Sequence, residues 1–255
     1  MKIDNNINKV MDTNLDIQRI VSGGGILWEQ EKLGPGPQKL IAGNNEAGFY
    51  GEVESNKLIT GDELAWKLGL AEGIDQYSNE PWLKFAYLGR IEYIAKKTFR
   101  RSISKQSLLN ANAVYGDKQI EIKGNKYKVR LIKGKAYYQG DGDWYYRKWE
   151  IEGQINHDSE WNKLMLPIHQ NAPDNWKFKS NVNSPTQNWN IGYTDKDLVT
   201  HSDYGNGSFS ICQEDGEDSS YSLIRGGFGV SYSSSVLVES DYANYGWRPV
   251  LELII

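Results

Sequence analysis

Acidic side chains are the first residues in this chain whose types and spacing could do chemistry. Asp141 and Asp143 flank a glycine, and Glu150 and Glu152 follow soon after. Two carboxylates held several ångströms apart could act as the acid and the base of a glycan hydrolase, and Asp-Gly-Asp can also begin a calcium loop. No motif fixes the geometry of these carboxylates, so a glycine-rich surface turn is favoured over both.

Nucleophilic chemistry has weaker support in the sequence. Cys212 is the single cysteine, so no intrachain disulfide can form. It lies in the alternating run Phe209-Ser210-Ile211-Cys212, which predicts a small buried hydrophobic side chain. The three histidines form no pattern with it. We therefore predict a protein that is not an enzyme, with no catalytic residue, no metal and no cofactor.

Aromatic side chains give the stronger functional signal. The chain has nine tryptophans and sixteen tyrosines against six phenylalanines. Tyr and Trp combine apolar area with a polar group, which suits binding surfaces as well as cores, and loops on a rigid scaffold often carry recognition. The candidate ligand-binding residues are Trp144, Tyr145, Tyr146, Trp176, Trp189, Tyr193 and Tyr204. Packing of the same rings within loops or in a core fits the sequence equally well.

The charge balance argues against nucleic acid as a partner. The formal net charge is -4, whereas nucleic-acid-binding domains usually carry a basic face. The basic cluster Lys96, Lys97, Arg100 and Arg101 is interpreted as a solvated strand end or loop, because acidic residues dominate elsewhere. No apolar run has the length of a membrane helix, and no signal peptide is visible. We expect a soluble protein, made in a cytoplasm, with no membrane insertion.

The N-terminal residues 1–45 are predicted to form an extended arm. Ile7, Val10, Ile17 and Val21, with Asn14 between them, fall at alternating spacings of three and four, as in a coiled-coil seam. Two heptads are too few to form a stable helix alone, so a disordered arm and a short helix docked on a partner are both open. The glycines of residues 22–25 predict a hinge. The main body is then expected at residues 46–255.

Short helices are predicted at three places in the main body. The expected N-caps are Thr60 (in a capping box with Glu63), Ser104 and Ser159. The expected ends are Gly69, about Ala113 and Pro167, since glycine stops a helix readily and proline removes an amide.

Strands are predicted from alternating apolar residues between these helices and towards the C-terminus. Residues 82–87 and 91–94 should form a hairpin around Gly89, and residues 118–123 and 126–131 one around Gly124-Asn125. Near the C-terminus, Tyr221 and Leu223 alternate with polar residues before Arg225-Gly226-Gly227, where the backbone should turn tightly or pass close to another segment. Residues 245–253 form an apolar run that should lie in the core.

These C-terminal segments carry a resemblance to a known fold and to a class of virus proteins. Ser219-Ser220-Tyr221-Ser222-Leu223-Ile224-Arg225-Gly226-Gly227 and Tyr245-Gly246-Trp247-Arg248-Pro249-Val250-Leu251 resemble the end of the formylglycine-generating-enzyme-like, C-type-lectin-like fold, and more closely a set of phage virion proteins of tail-fibre or surface-appendage type. Upstream patterns shared with that set are, in order, Gly48-Phe49-Tyr50-Gly51-Glu52-Val53, Leu58-Ile59-Thr60-Gly61-Asp62, Trp82-Leu83-Lys84-Phe85-Ala86, Val114-Tyr115-Gly116, Tyr127-Lys128-Val129-Arg130-Leu131 and Ser159-Glu160-Trp161-Asn162-Lys163-Leu164-Met165.

The resemblance implies an α+β fold, in which a C-type-lectin-like module with a twisted antiparallel sheet and a few short helices follows the arm. It implies a non-enzymatic structural protein located in the virion, a tail-fibre, tail-tip or head-decoration component, that presents the module for host-surface recognition. Partners would be other virion proteins through the arm, a host-surface glycan or protein, and further copies of the chain. Formylglycine-generating activity would need a pair of active-site cysteines. The chain has only Cys212, so the resemblance does not imply that activity. The alternatives are a purely architectural connector or decoration protein and a glycan-degrading enzyme.

Overall fold

Antiparallel strands in two sheets, with few short helices, form most of the structure. The computed structural model describes residues 33–134, 159–170, 188–216 and 218–255. In chain order the strands are β1 (Ala42–Gly43), β2 (Ala47–Val53), β3 (Ile74–Asp75), β4 (Trp82–Tyr87), β5 (Arg90–Ala95), β6 (Arg100–Arg101), β7 (Tyr115–Ile122), β8 (Asn125–Leu131), β9 (Phe209–Asp215), β10 (Tyr221–Gly226), β11 (Ser233–Leu237), β12 (Tyr245–Trp247) and β13 (Pro249–Ile254). The helices are α1 (Gly61–Leu68), α2 (Lys105–Asn110), α3 (Glu160–Leu164) and α4 (Asp195–Leu198). The coarse prediction of a mainly antiparallel fold with few helices is confirmed.

The first sheet has seven strands in the order β1-β2-β4-β5-β13-β8-β7, and all its pairs are antiparallel. Strand β13 lies between β5 and β8, where Val250 is opposite both Ile94 and Arg130. Val250, Leu251 and Leu253 are buried. The prediction that the C-terminal apolar run lies in the core is therefore confirmed.

The second sheet is mixed, with the order β11-β10-β9-β12-β6-β3. Strand β12 runs parallel to β9, and the other pairs are antiparallel. Arg248 alone separates β12 from β13, so one short segment supplies an inner strand to each sheet.

Helix starts agree with the three predicted N-cap residues, although α1 shows only the Thr60 half of the predicted capping box and not the return bond from the Glu63 side chain. The Thr60 hydroxyl accepts from the Glu63 amide at 3.2 Å, and the Ser104 hydroxyl accepts from the Ser107 amide at 3.1 Å. The Ser159 hydroxyl likewise caps α3 by accepting from the Asn162 amide. Each cap satisfies an amide that the first helical turn leaves without an intrahelical partner.

Helix ends agree with the predictions less uniformly. Gly69 ends α1 in the left-handed region with φ of 70°, and α3 stops before Pro167. The prediction that α2 reaches about Ala113 is wrong, because the helix ends at Asn110. Asn112 has φ of 53°, a left-handed conformation that breaks the helix and that asparagine tolerates better than most residues.

Both predicted hairpins are present, one of them with a shifted turn. Leu88 and Gly89, with φ of 49° and 74°, join β4 to β5. In the β7–β8 hairpin Ile122 pairs with Asn125, so the turn residues are Lys123 and Gly124 and the predicted Gly124-Asn125 turn is wrong by one residue. Both turns have two positive φ values, as a type I′ hairpin requires.

Strand β4 is buried at all six positions, because both faces of the first sheet are covered here. On one face Leu83 and Phe85 join the main core with residues of α3. On the other face the Trp82 indole donates to the Ile59 carbonyl at 2.8 Å, and Lys84 Nζ donates to the Pro37 carbonyl at 2.7 Å. Burial lowers the pKa of Lys84 to about 7.

Pro35 and Pro37, which the sequence assigned to the arm, contact this second face, and Ala42–Gly43 of the same segment pair with β2. Besides the bond from Lys84 to Pro37, the Tyr93 hydroxyl donates to the Pro35 carbonyl at 2.9 Å. The described residues from Pro35 onward belong to one compact unit. Of the described helices, none is long and apolar enough to cross a membrane.

Candidate functional site

Most of the predicted site residues lie outside the described residues. These are the candidate ligand-binding residues Trp144, Tyr145, Tyr146 and Trp176, the carboxylates Asp141, Asp143, Glu150 and Glu152, and the arm residues Ile7, Val10, Asn14, Ile17 and Val21. Of the predicted aromatic site, the structure places Trp189, Tyr193 and Tyr204.

Trp189 and Tyr193 pack against the main core. The Tyr193 ring meets Phe49 edge-on at 6.3 Å, and its hydroxyl donates to Glu52. Lys96 Nζ lies 4.9 Å from the centre of the Tyr193 ring and 2.8 Å from the Glu52 carboxylate. Burial, and then the hydrogen bond and charge of Glu52, raise the pKa of Tyr193. These two half-buried rings are held in place by their packing against the core.

The basic cluster lies at the end of β5 and in β6, in agreement with the predicted strand end or loop. Three of its members, Lys96, Lys97 and Arg100, are mostly shielded from solvent and paired with carboxylates. Lys97 Nζ lies 3.1 Å from Glu80 and over the ring of Tyr77, while Arg100 pairs with Asp75 at 2.7 Å. Lys96 is paired to a carboxylate as well, and the fourth member, Arg101, is half-buried in β6.

Tyr204 lies at the surface, 42 % exposed. Its ring packs on His201 with 5.5 Å between ring centres. The backbone of His201 forms an isolated bridge with Phe228, which connects Tyr204 to a larger set of rings that the sequence did not single out.

That larger set is an aromatic band made of Phe209, Phe228, Tyr232, Tyr242 and Tyr245. Phe209 is its buried floor, and three rings surround it at 5.9–6.0 Å, each strongly tilted against it. Tyr242 extends the band from Tyr245, with 5.8 Å between ring centres. Such edge-to-face contacts stabilise aromatic clusters beyond their buried area.

Glycines of the two C-terminal motifs, Gly226, Gly227 and Gly246, allow Phe209 and other neighbouring residues to pack closely against the backbone. Gly227 has φ of 85°, and a Cβ there would lie 1.9 Å from the Phe209 ring. Gly226 also has φ of 85°, and its Cβ would lie 2.5 Å from the Ser208 carbonyl oxygen. A Cβ on Gly246 would meet Thr98 at 2.8 Å. The predicted close approach to another backbone is confirmed at Gly226, and side chains at Gly226 and Gly227 would push away the segment that bears Ser208 and Phe209.

Replacing Gly227 with alanine is expected to destabilise the protein by about 2–4 kcal/mol, because the new methyl group both overlaps Phe209 and strains a left-handed backbone. Chemical denaturation would measure the change. Gly69→Ala is the matched control: that glycine is also left-handed but has no atom within 4 Å of an added Cβ, so the loss there should be about 1 kcal/mol. Equal losses at the two sites would contradict the packing role of Gly227.

The arginines of the same motifs converge on one buried tryptophan. The guanidinium carbons of Arg225 and Arg248 lie 5.5 Å and 5.8 Å from the Trp161 ring centre. All three side chains are buried. The Trp161 indole also donates to the Val230 carbonyl at 2.7 Å, which holds the loop after β10 against α3.

Both guanidinium groups bind backbone and neutral side chains. Arg225 donates to the Gly134 carbonyl at 2.6 Å and to Asn162 Oδ1 at 2.7 Å. Arg248 donates to the Ala95 carbonyl at 2.8 Å and to Ser210 Oγ at 2.9 Å. Burial lowers the pKa of Arg248 to about 9. These arginines connect separate segments of chain and are enclosed, so they act as structural links.

A second buried charged group, the Arg130 cluster, joins the centre of the first sheet to α3. It consists of Arg130, Glu92, Glu160 and Glu252, and the guanidinium lies 2.7, 2.9 and 3.3 Å from the three carboxylates in that order. Burial, and then the charge of Glu160, raise the pKa of Glu92 well above its usual range. Burial alone would also raise the pKa of Glu160, but Arg130 and further hydrogen bonds lower it. Glu92 and Glu160 are buried within the protein, whereas Glu252 also pairs with Arg90 and Lys128, whose side chains are partly exposed.

Cys212 lies in the main core and is fully buried, as the alternating run predicted. Burial raises the pKa of its thiol well above the usual range. Among the described residues no group of three or more His, Cys, Asp or Glu side chains is placed to hold a metal ion.

Comparisons with known proteins add no relative: no family model, no curated protein and no solved structure matches the chain significantly.

Proposed function

We propose that this chain is a non-enzymatic structural protein of a phage virion, a tail-fibre, tail-tip or head-decoration component, whose folded module recognises the host surface. One observation supports the proposal most: the motif residues that carry the resemblance meet in space. Trp161, Arg225 and Arg248 come from three separate motifs and form a single buried contact. If the resembling proteins share these residues because the fold requires them, the residues are expected to contact one another in the interior of the fold.

The same observation supports a lectin-like architecture for the module. In the resemblance, the Arg-Gly-Gly segment and the closing Gly-aromatic-Arg segment are strands of the central sheet. Here β10 and β12 pair with β9 on its two sides. We propose that these strands are the core of a C-type-lectin-like module.

The aromatic band and its surroundings support a recognition role for that module. Residues 201–208, 227–235 and 241–246 consist largely of Tyr, Ser, Gly and Asn. Antibody combining sites use the same residue types, because tyrosine supplies rigid contact area and small polar residues supply adaptable hydrogen bonds. Tyr242 and Tyr204 expose their rings there.

The arm would attach the module to the virion. Residues 1–22 carry the apolar seam of Ile7, Val10, Ile17 and Val21, whose burial needs a partner, either another virion protein or further copies of this chain. We therefore propose a virion location, attachment through the arm and a homo-oligomeric state.

Binding of fluorescently labelled protein to candidate host cells tests this function. The full chain is compared with a variant that lacks residues 1–32, since residues 35–45 contact the sheet through Pro35 and Pro37. We expect saturable binding by both forms, and incorporation into virions by the full chain alone. Binding by neither form would overturn the receptor role for those hosts and favour an architectural connector. Release of reducing sugar from host envelope would favour the glycan-degrading enzyme.

A further inference from the structure

Two carboxyl groups of the Arg130 cluster contact the same nitrogen of one guanidinium. Glu92 Oε1 and Glu160 Oε1 lie 2.7 Å and 2.9 Å from Arg130 Nη2. Glu92 belongs to β5 and Glu160 to α3, and both side chains are fully buried. Two carboxylates and one guanidinium leave one excess negative charge, which is unfavourable in the interior of a protein.

The charged and titratable groups that the described residues place around this pair are Arg130 and Lys128 of β8, Glu252 of β13, Arg90 of β5, Tyr87 of β4 and Cys212 of β9. Glu252 is paired with Glu92 across the two strands and is a third carboxylate. The partly exposed Arg90 and Lys128 lie 3.3 Å and 3.5 Å from Glu252. These two cations therefore offset Glu252, and the excess charge stays with Glu92 and Glu160.

Hydrogen bonds show which of the two carboxyl groups is better stabilised as an anion. Glu160 accepts from two guanidinium nitrogens at 2.9 Å and from the Lys133 amide at 3.0 Å. Glu92 accepts from Arg130, and its second oxygen, Oε2, is buried with no donor among the described residues. A buried carboxylate oxygen without a donor is unfavourable, whereas a protonated carboxyl group is itself a donor. The raised pKa of Glu92 and the lowered pKa of Glu160 agree with this asymmetry.

We propose that Glu92 and Glu160 share one proton in the native protein, with Glu92 as the acid and Glu160 as the carboxylate, and that this proton makes the attachment of α3 to the first sheet sensitive to pH. The Glu92 O–H donates to Glu160, so the pair carries one negative charge against Arg130. Loss of the proton places two carboxylates side by side in the interior, where they repel. Since α3 also carries Trp161, the effect extends to the contact of that ring with Arg225 and Arg248.

The sign of the pH dependence follows from the state that holds the proton. A glutamate in the unfolded chain releases its proton near about pH 4.3, whereas native Glu92 keeps it to higher pH. Between these two pKa values the native state binds one proton more than the unfolded chain. The contribution of Glu92 to stability is therefore fully present below the unfolded pKa and is lost as the pH rises through the native pKa.

Infrared difference spectra of the full chain at pH 7 test the proposal. Exposed carboxyl groups are ionised at that pH, so the C=O stretch of a protonated carboxyl group should appear in the wild type and be missing from Glu92→Gln. Glu160→Gln is the second variant: without the neighbouring carboxylate, Glu92 should lose its proton, and the band should vanish, at lower pH than in the wild type. Glu121→Gln, at an exposed position of β7, is the matched control and should leave the band unchanged.

Urea denaturation at a series of pH values gives an independent measurement. From about pH 5 up to the native pKa of Glu92, the unfolding equilibrium constant of the wild type should rise relative to that of Glu92→Gln by about tenfold per pH unit. A ratio of the two constants that does not change with pH would overturn the proposal, and so would a wild-type spectrum without the carboxylic acid band. A ratio that falls with rising pH would overturn it as well, because Glu92 would then be an ionised partner of Arg130.

Discussion

Replacing Arg130 with methionine is expected to destabilise the protein by about 3–5 kcal/mol, since removing one partner of a buried ionic group leaves the others uncompensated. Three carboxylates surround this guanidinium at 2.7–3.3 Å. Methionine fills similar volume, so the loss reports the charge and its hydrogen bonds. Urea denaturation at pH 7 would measure the free energy of unfolding.

The pH dependence of the same variant distinguishes lost charge from lost packing. In the native protein the lowered pKa of Glu160 means that its ionised form stabilises the fold above the pKa of the unfolded chain, and that this contribution disappears as the pH falls. Without Arg130, burial should raise the pKa of Glu160, so the destabilisation should grow as the pH rises above the pKa of a glutamate in the unfolded chain. A loss independent of pH would contradict the electrostatic account.

Arg90 provides the control for charge at the edge of the cluster. Its guanidinium lies 3.3 Å from Glu252 but its side chain is 43 % exposed. Solvent and salt screen such a pair, so Arg90→Met should cost less than about 1 kcal/mol.

Trp161→Ala is expected to have a still larger effect, about 4 kcal/mol or more, because it leaves a cavity and exposes two buried guanidinium groups on one side. Both Arg225 and Arg248 lose the ring that lies 5.5–5.8 Å from their charge. The carbonyl of Val230 loses its donor as well. We expect loss of the cooperative thermal transition, measured by near-ultraviolet circular dichroism and calorimetry.

Trp66→Ala is the matched control for this substitution. Trp66 is 79 % exposed on α1, so its removal should change the free energy of unfolding by no more than about 0.5 kcal/mol. If Trp161→Ala unfolded as cooperatively as Trp66→Ala, the central role of the tryptophan contact would be wrong.

Local features of this fold were predictable because their causes are local. Thr60, Ser104 and Ser159 each cap a helix through an amide three residues away. The hairpins follow from short loops with glycine between alternating strands. The one-residue error at Lys123-Gly124 arose because Asn125 also favours positive φ, and only the cross-strand pairing with Ile122 decides between the two turns.

The charged interior could not be predicted from periodicity. Lys84 lies on one face of the first sheet, and Glu92 and Arg130 lie on the other. In a sheet covered on one side only, one of these two sets of charged side chains would face solvent. Segments distant in the chain cover them here, namely residues 35–37 on one face and α3 on the other. Sequence patterns show how side chains alternate along a strand, but the number of covered faces depends on tertiary structure.

The candidate site was predicted only in part for a similar reason. Trp189 and Tyr193 were selected for their polar surroundings, yet both contact the core. The aromatic band was not predicted because its rings come from segments around residues 209, 230 and 244. No short stretch of sequence contains them all. Gly226 and Gly227 were the available signal: paired glycines after a strand indicate that something bulky lies against the backbone, here Phe209.

The place of β13 in the first sheet also constrains how the chain can fold. Strand β13 pairs on both sides, with β5 and with β8, so until residues 249–254 leave the ribosome this sheet exists as two separate halves. Each half then presents an open inner edge, which is prone to pair with other chains. Formation of the sheet must also close loops of more than a hundred residues, and such non-local pairing slows folding. The nascent chain therefore has a long interval in which chaperones, or neighbouring copies of itself, can bind those edges.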